Sequence, residues 1–334
     1  MYDIVEPIRS WLAEGCDVRV AMVVATRGFS SREPLAAAAW TSEGRTVGHL
    51  VAGVPVPRIR DTGLIDVPVG ADEAAAAGLA CPGVATVLVL PAGGIPEETW
   101  DRLANREPLC LVTTLLDGAC ATDVYTAASV RDAFAPAGDV PRLFARGVSG
   151  ALVSADEPTT VAVALWPVPT LVVVGDGLIA DALRAQAALL GWAAQVTNDV
   201  DGAVAAAAGR HRSDAYVVLS HAREVDGPAL AAALAGGAGY VGALGSRRTQ
   251  AARREWLTGR GVLGKDQARI HGPAGLDVDA HTPAEIAVAI VAEILAARGG
   301  ASGRPLRERS GSIHETGVSA PPPRYEPRGG LSGP

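Results

Sequence analysis

Gly175 and Gly177, with Asp176 between them and Ala180 beyond, form a G-x-G-x-x-A turn within the stretch LVVVGDGLIADALRAQAALLGW. This spacing suits a phosphate. Gly175 permits a tight turn, Gly177 lets a pyrophosphate approach the backbone, and Ala180 lets a helix pack on a strand. Leu178 and Ile179 open that helix, so their backbone N–H groups belong to the same cradle. Such a turn is normally answered about twenty residues later by a side chain that holds the ribose hydroxyls. Asn198 and Asp199 stand there. Asn198 would tolerate a 2′-phosphate better than an aspartate, and Asp199 could bind a 2′-hydroxyl; the pair is also ordinary turn chemistry.

A second stretch, Gly242 to Thr249, sets Gly245 and Ser246 at a helix start with Arg247 and Arg248 beside them. Backbone N–H groups and two guanidinium groups there would bind a phosphate, a carboxylate or a pterin phosphate. Ser246 reads equally as a plain N-cap with the arginines solvated, but arginines in a first turn oppose the helix dipole, which favours an anionic ligand. His271-Gly272-Pro273 begins a glycine-rich loop that could close over a ligand at the strand ends. Ser220 and His221 follow the strand AYVVLS at that same edge. His221 is the candidate acid or base, although a lone histidine at a strand end is more often structural. Cys81, the one cysteine in a turn, is a second candidate for chemistry, against the default of a buried inert thiol. There is no G-x-S-x-G, H-E-x-x-H or P-loop, and no cysteine spacing that implies a metal site.

The elements that must position these residues follow from hydrophobic patterning. Leu171–Val174, Gln195–Asn198, Ala215–Ser220 and Tyr240–Leu244 read as buried strands alternating with helices, which implies βαβ units and a mostly parallel sheet. Ile179, Leu183, Ala187 and Leu190 share one helical face, closed by Gly191. Helical periodicity covers Gln250 to Leu257, and Thr282-Pro283-Ala284-Glu285 starts a last helix with a capping box. Its apolar face is Ile286, Ile290, Val291, Ile294 and Leu295. Upstream, Ile4 to Glu14 predicts a helix. Arg19–Thr26, Ala36–Thr41, Thr46–Val51, Val84–Leu90, Leu109–Leu116 and Thr159–Leu165 predict strands. Irregular structure with short strands is expected over Val54–Gly70, and a helix over Ala71–Leu79. We therefore expect an α/β fold with a C-terminal Rossmann-like parallel sheet domain and an N-terminal α+β domain. The N-terminal domain spans 1–165, a Pro-rich connector 166–169, the Rossmann-like domain 170–298 and an extended or disordered tail 299–334.

At 334 residues, 49% hydrophobic and 19% charged, the chain is a folded protein long enough for two cores. A net charge of −7 argues against nucleic acid or an anionic membrane as partner. No apolar run reaches a membrane span, and the acidic N-terminus lacks the layout of a signal peptide. Four dispersed cysteines form no disulfide framework, so a cytoplasmic location is expected.

With these residues assembled, the chain resembles the XdhC/CoxI family of accessory proteins for molybdenum hydroxylases. YVGALGSRRT (240–249) and RIHGPAGLDVDAHTPAEIAVAIVAEILA (269–296) are similar to the family signature nearly residue for residue. VVVGDGLIADALRAQAALLGW fits its Rossmann opening, GRPLRERSGSIH resembles its tail, and TRGFSSREPLAA looks like a degraded T-x-G-S-S-P-R-P-x-G-A stretch. The sequence also departs from the family. G-G-C-V-E is replaced by Gly53-Val54-Pro55-Val56 after Ala52, and the histidine of G-A-G-H-V-A by Leu178. The strand-end aspartate is Asn198, and T-H-D is Ser220-His221-Ala222, whereas L-A-C-G-G survives as Leu79-Ala80-Cys81-Pro82-Gly83.

The resemblance implies a cytoplasmic homodimer that binds molybdenum cofactor, protects it during sulfuration and inserts it into an apo molybdenum hydroxylase. A second reading, motivated by the intact glycine turn and the missing Cys/Glu pair, is an NAD(P)-dependent oxidoreductase acting on a small molecule. In that case His221 would be the acid or base, and Arg247 or Arg248 would anchor a substrate carboxylate.

Overall fold

Near-continuous apolar runs in the first half of the chain become strands buried on both faces. The structure, a computed structural model, describes residues 1–28, 35–51, 61–76, 81–136, 138–154, 157–220 and 222–308. The chain divides into two compact units, Met1–Trp166 and Pro167–Ile313. The order in the first is α1 (Val5–Ala13), β1 (Val18–Arg27), β2 (Ala37–Thr41), β3 (Thr46–Gly48), β4 (Gly63–Val69), α2 (Ala71–Ala76) and β5 (Gly83–Pro91). Then come α3 (Glu98–Ala104), β6 (Leu109–Leu116), β7 (Ala119–Thr126), α4 (Val140–Ala145), β8 (Gly150–Val153) and β9 (Thr159–Leu165). Among the described residues these strands form two antiparallel sheets, β3-β2-β1-β5-β4 and β7-β6-β9-β8.

Alternation places Val18, Val20, Met22 and Val24 of β1 in one core with Leu109 and Leu111 of β6 and Val161 and Val163 of β9. Ile8 of α1 and Trp100 of α3 close that core. The intervening residues are also covered, Ala21 and Val23 by one cluster, and Cys110 and Val112 by Leu143 and Phe144 of α4 in another. Burial on both sides explains why these strands read as apolar runs. The 54–70 stretch, expected to be irregular with short strands, includes the seven-residue β4. The expected helix from Ala71 is described to Ala76.

The second unit runs β10 (Thr170–Val174), α5 (Leu178–Leu189), β11 (Ala193–Thr197), α6 (Val200–Ala207), β12 (Ala215–Val218) and α7 (Arg223–Ala235). It continues with β13 (Tyr240–Ala243), α8 (Arg247–Thr258), α9 (Gly264–Gln267), β14 (Ile270–His271) and α10 (Pro283–Gly299). Its strands are all parallel, in the order β11-β10-β12-β13-β14. Val172, Val174, Tyr216, Val218 and Val241 pack against Ala203 of α6, Ala229 and Leu230 of α7 and Leu257 of α8. Leu171, Val173, Val217 and Tyr240 pack on the opposite face against Leu183 of α5 and Ile290 and Ile294 of α10. This is a Rossmann-like layer order, with helices on both faces of a parallel sheet.

Thr282 starts α10 with the expected capping box. Its hydroxyl accepts from Glu285 N at 3.3 Å, and the Glu285 carboxylate accepts from Thr282 N at 2.8 Å. Two residues expected on apolar faces point outward instead: Leu190, which follows the end of α5, and Leu295 are 40% and 38% exposed. Helix α10 ends at Gly300, whose φ of 63° is the left-handed turn a glycine permits. Residues 301–308 are exposed and include a short 3₁₀ turn. The rest of the tail from 309, with all of GSIH and everything beyond, lies outside the described residues. No helix among the described residues is long and apolar enough to cross a membrane.

Candidate functional site

The glycine turn after β10 is held by its neighbours and open on one side. Gly175 N donates to Thr197 O at 2.7 Å. At its φ of 118°, a Cβ would lie 3.0 Å from Ser220 N and 3.2 Å from Leu219 Cβ, so this turn runs hard against the one after β12. Gly177 differs. Its φ is 90°, yet a Cβ there would meet nothing within 4 Å. It begins α5 without any side-chain cap, so no side chain of the N-cap residue satisfies the first N–H groups of that helix. Leu178 is exposed and Ile179 half-buried.

Beside this turn, Asn198 Nδ2 donates to Asp176 Oδ2 at 3.5 Å. Asp199 is committed elsewhere: its Oδ1 accepts from Gly202 N at 2.7 Å and caps α6. That is the turn role the sequence allowed for it. Ser220 Oγ accepts from Ala222 N at 3.1 Å. His221 lies outside the described residues.

The turn after β13 leads into α8, and Ser246 is its N-cap, accepting from Thr249 N at 3.2 Å. Gly245 has φ of 127°. Arg247 and Arg248 are exposed, form no ion pair among the described residues, and sit in a first turn with no acidic residue. Both the capping reading and a free pair of guanidinium groups are therefore realised at this helix start.

Two residues of α8 that the sequence reading passed over hold these loops in place. Gln250 Nε2 donates to Ala243 O at 2.8 Å and to Gly245 O at 3.3 Å. Arg253, 6% exposed, donates to Asp226 Oδ2 from Nε at 3.0 Å and from Nη2 at 2.6 Å. The same guanidinium reaches Leu244 O at 2.6 Å and Ser220 O at 2.9 Å. One buried cation thus ties the loop after β12 to the loop after β13. Asp226 Oδ1 is buried without a hydrogen-bond partner among the described residues. The available signal was the stripe Gln250, Arg253, Leu257, which puts two polar residues on the inward face of the helix.

His271 is the last residue of β14, and its ring stacks on Tyr240 with centroids 4.5 Å apart. Its Nδ1 lies 2.9 Å from Glu293 Oε1. Glu293 Oε2 accepts from the Tyr240 hydroxyl at 2.6 Å and from Gly275 N at 2.7 Å. Burial raises the Glu293 carboxyl, but the hydrogen bonds from His271, Tyr240 and Gly275 outweigh it and hold the group down at about 2. Burial pushes the Tyr240 phenol up, with the Glu293 carboxylate adding to the shift, so it remains a donor. The Tyr240 ring covers Gly242, where a Cβ would lie 2.6 Å from Tyr240 Cε1. Gly272 lies against Gln250, Pro273 is exposed, and Ala274 N docks the loop on Ala243 O at 3.1 Å.

The residues named from sequence in this unit, His221 apart, thus gather at the carboxyl ends of adjacent strands: Asn198 after β11, Gly175 to Ile179 after β10, Ser220 after β12, Gly245 to Arg248 after β13, and His271 to Pro273 at β14. Cys81 belongs to the other unit. It is exposed, which corrects the default of a buried thiol. The turn it opens packs on Gly28, where a Cβ would lie 2.7 Å from Pro82 O. Residues 29–34 of TRGFSSREPLAA, the 52–56 stretch, and Leu79 and Ala80 lie outside the described residues. Cys110 is the buried cysteine, its thiol pushed up to about 12 by desolvation.

Residues 171–294 match the family model described as the XdhC Rossmann domain. A 64-residue segment is 39% identical to the Escherichia coli (strain K12) uncharacterized protein YqeB, covering 19% of this chain and 12% of that protein. The chain is also similar in fold to a Bacillus halodurans protein described as a xanthine dehydrogenase, at 18% identity and a TM-score of 0.50. That likeness covers 91% of this chain and 97% of the other. The second unit of the chain thus carries an XdhC-type Rossmann domain over residues 171–294.

Proposed function

We propose that this chain is an accessory protein of a molybdenum hydroxylase, which binds molybdenum cofactor by its phosphate, supports its sulfuration and inserts it into the apo-enzyme. The XdhC family link supports an accessory role toward an enzyme of the xanthine dehydrogenase kind. The observation that carries the reading is the pairing of two helix starts at one sheet edge. Helix α5 begins uncapped beneath the open space at Gly177, and α8 begins behind two arginines that have no carboxylate partner among the described residues. Donors of this kind fit a phosphate. When bound, the cofactor carries the metal chemistry that the recipient hydroxylase uses; the residues here anchor its phosphate and orient the rest. Cys81 is the candidate for the sulfuration side. Homodimerisation and a cytoplasmic location belong to the same proposal.

A second reading, an NAD(P)-dependent oxidoreductase acting on a small molecule, is favoured by one contact. Asn198 and Asp176 meet beside the glycine turn, where a dinucleotide ribose would lie, and Asp199 is engaged in capping. The two readings separate by calorimetric titration of the full chain with molybdenum cofactor, NADH and NADPH, followed by transfer to an apo-hydroxylase. The accessory reading expects cofactor binding weakened at least about tenfold in Arg247→Ala/Arg248→Ala, the loss of about 1.4 kcal/mol from two charge-assisted contacts. It also expects transfer that falls in Cys81→Ala. Tight NADPH binding without cofactor binding would overturn it in favour of the oxidoreductase.

A further inference from the structure

We propose that His271 is the proton acceptor of the strand-end cleft, held by Glu293 so that its Nε2 takes a proton from the ring N–H of a phosphate-bearing heterocycle. The inference rests on the reading that such a ligand binds at this edge.

The geometry fixes the hydrogen-bond roles. Glu293 gathers three donors, with His271 Nδ1 at 2.9 Å, the Tyr240 hydroxyl at 2.6 Å and Gly275 N at 2.7 Å. A carboxylate can only accept, so Nδ1 carries a proton, and in the neutral form of the ring the lone pair is left on Nε2. The Tyr240 ring, stacked at 30°, fixes the imidazole plane. Nε2 has no partner among the described residues, and the side chain is 34% exposed. A histidine whose only task was to tie β14 to α10 would gain nothing from a second ring nitrogen left without a partner among the described residues on a side chain one-third exposed. A carboxylate behind an imidazole is the arrangement that orients a base and stabilises the imidazolium once it forms.

The position suits the ligand too. His271 ends β14, and the loop after it is docked on Ala243 at the end of β13, two residues before Gly245 and four before the first of the two arginines. A molecule anchored there by phosphate and bearing a lactam N–H, as a pterin does, matches both halves. In the step, the N–H bond of the ligand breaks, its proton joins His271 Nε2, and the electron pair stays on the ligand ring as an anion. The new imidazolium lies between that anion and the Glu293 carboxylate, so charge is conserved and no co-reactant is needed.

The test is long-range ¹H–¹⁵N NMR at pH 8 on the full chain labelled at its six histidines, with His271→Gln to assign the signal. The free protein should show His271 protonated at Nδ1 alone, and saturating molybdenum cofactor should convert it to the doubly protonated ring. NADPH, whose rings carry no lactam N–H, should leave it neutral. In Glu293→Gln the Nδ1 preference should be lost. A free protein with the proton on Nε2 overturns the proposal whether or not that variant folds. A ring that stays neutral with bound cofactor overturns it while sparing the accessory reading, whereas no cofactor binding at all overturns both. Protonation by NADPH as well would overturn the assignment to a lactam.

Discussion

Replacing Arg253 by methionine tests whether one buried guanidinium organises the strand-end loops. The substitution keeps most of the side-chain volume and removes four hydrogen bonds, two to Asp226 Oδ2 and one each to Leu244 O and Ser220 O. Both charged side chains are nearly excluded from water, at 6% and 5% exposure. Stranding one partner of such a pair costs about 3–5 kcal/mol, most of it the penalty of a buried, unpaired carboxylate. The two carbonyls that lose a donor put the expected loss at the upper end, about 5 kcal/mol. Asp226→Leu/Arg253→Met should recover most of it and fall only about 1–2 kcal/mol below the parent, because a buried pair replaced by apolar groups is often nearly neutral. The unpaired Asp226 Oδ1 already weakens the native arrangement, which adds to the recovery. Urea unfolding should be followed by hydrogen exchange and mass spectrometry of peptides within 167–308, since two compact units need not unfold together. Protection around 219–226 and 243–250 should collapse first in the single variant. A single variant within about 1 kcal/mol of the parent, or a double variant worse than the single, would refute the role assigned to Arg253.

Glu293 makes stability depend on pH in a defined direction. Its carboxyl is held at about 2 instead of the ordinary 4.5, so its contribution is complete above about 4.5 and is lost as pH falls toward 2. The shift corresponds to about 3 kcal/mol, trimmed to about 2 by water at the exposed part of the side chain. Glu293→Gln should trail the parent by that amount at pH 7 and converge with it near pH 2; a gap that does not narrow below pH 4 would contradict the geometry. Gly177→Val should cost stability through backbone strain alone, about 1–3 kcal/mol, since no atom opposes its Cβ, and should abolish ligand binding. Gly175→Ala should in addition displace the turn after β12, visible as faster hydrogen exchange at 219–222. Cys81→Ala should leave the melting curve unchanged within about 0.5 kcal/mol, because the side chain is exposed; a larger loss would mean that the thiol is structural.

The glycine turn, the βα alternation and the capping box at Thr282 were legible because each is a local pattern, complete within a few residues. Strands of the first unit were legible as apolar runs for the opposite reason, since burial on both faces erases alternation. Strand β7 was missed although its signal was present. Asp117 and Gly118, with φ of 50° and 78°, make the Asp-Gly hairpin that joins it to β6, and its ACATDVYT sequence alternates in exposure as expected of an edge. Helix α7 carries Pro228 inside it, which blurs its periodicity. The pairings of Arg253, Asp226 and Glu293 were invisible for a different reason. Their side-chain partners lie 22 to 53 positions away, and no local spacing reports an ion pair or a carboxylate shared among β13, β14 and α10.

The ring of Tyr240 lying over Gly242 binds the fates of two positions on one strand. Gly242 does not have a left-handed φ, so nothing in its backbone demands glycine; the ring alone excludes a side chain. The pair should therefore behave epistatically. Gly242→Ala would be harmful in this background and tolerated once Tyr240 is shortened, but shortening Tyr240 removes a donor from Glu293 and the platform under His271. Substitutions here cannot be accepted one at a time, and a change at this strand commits the histidine, the glutamate and the loop beyond them together.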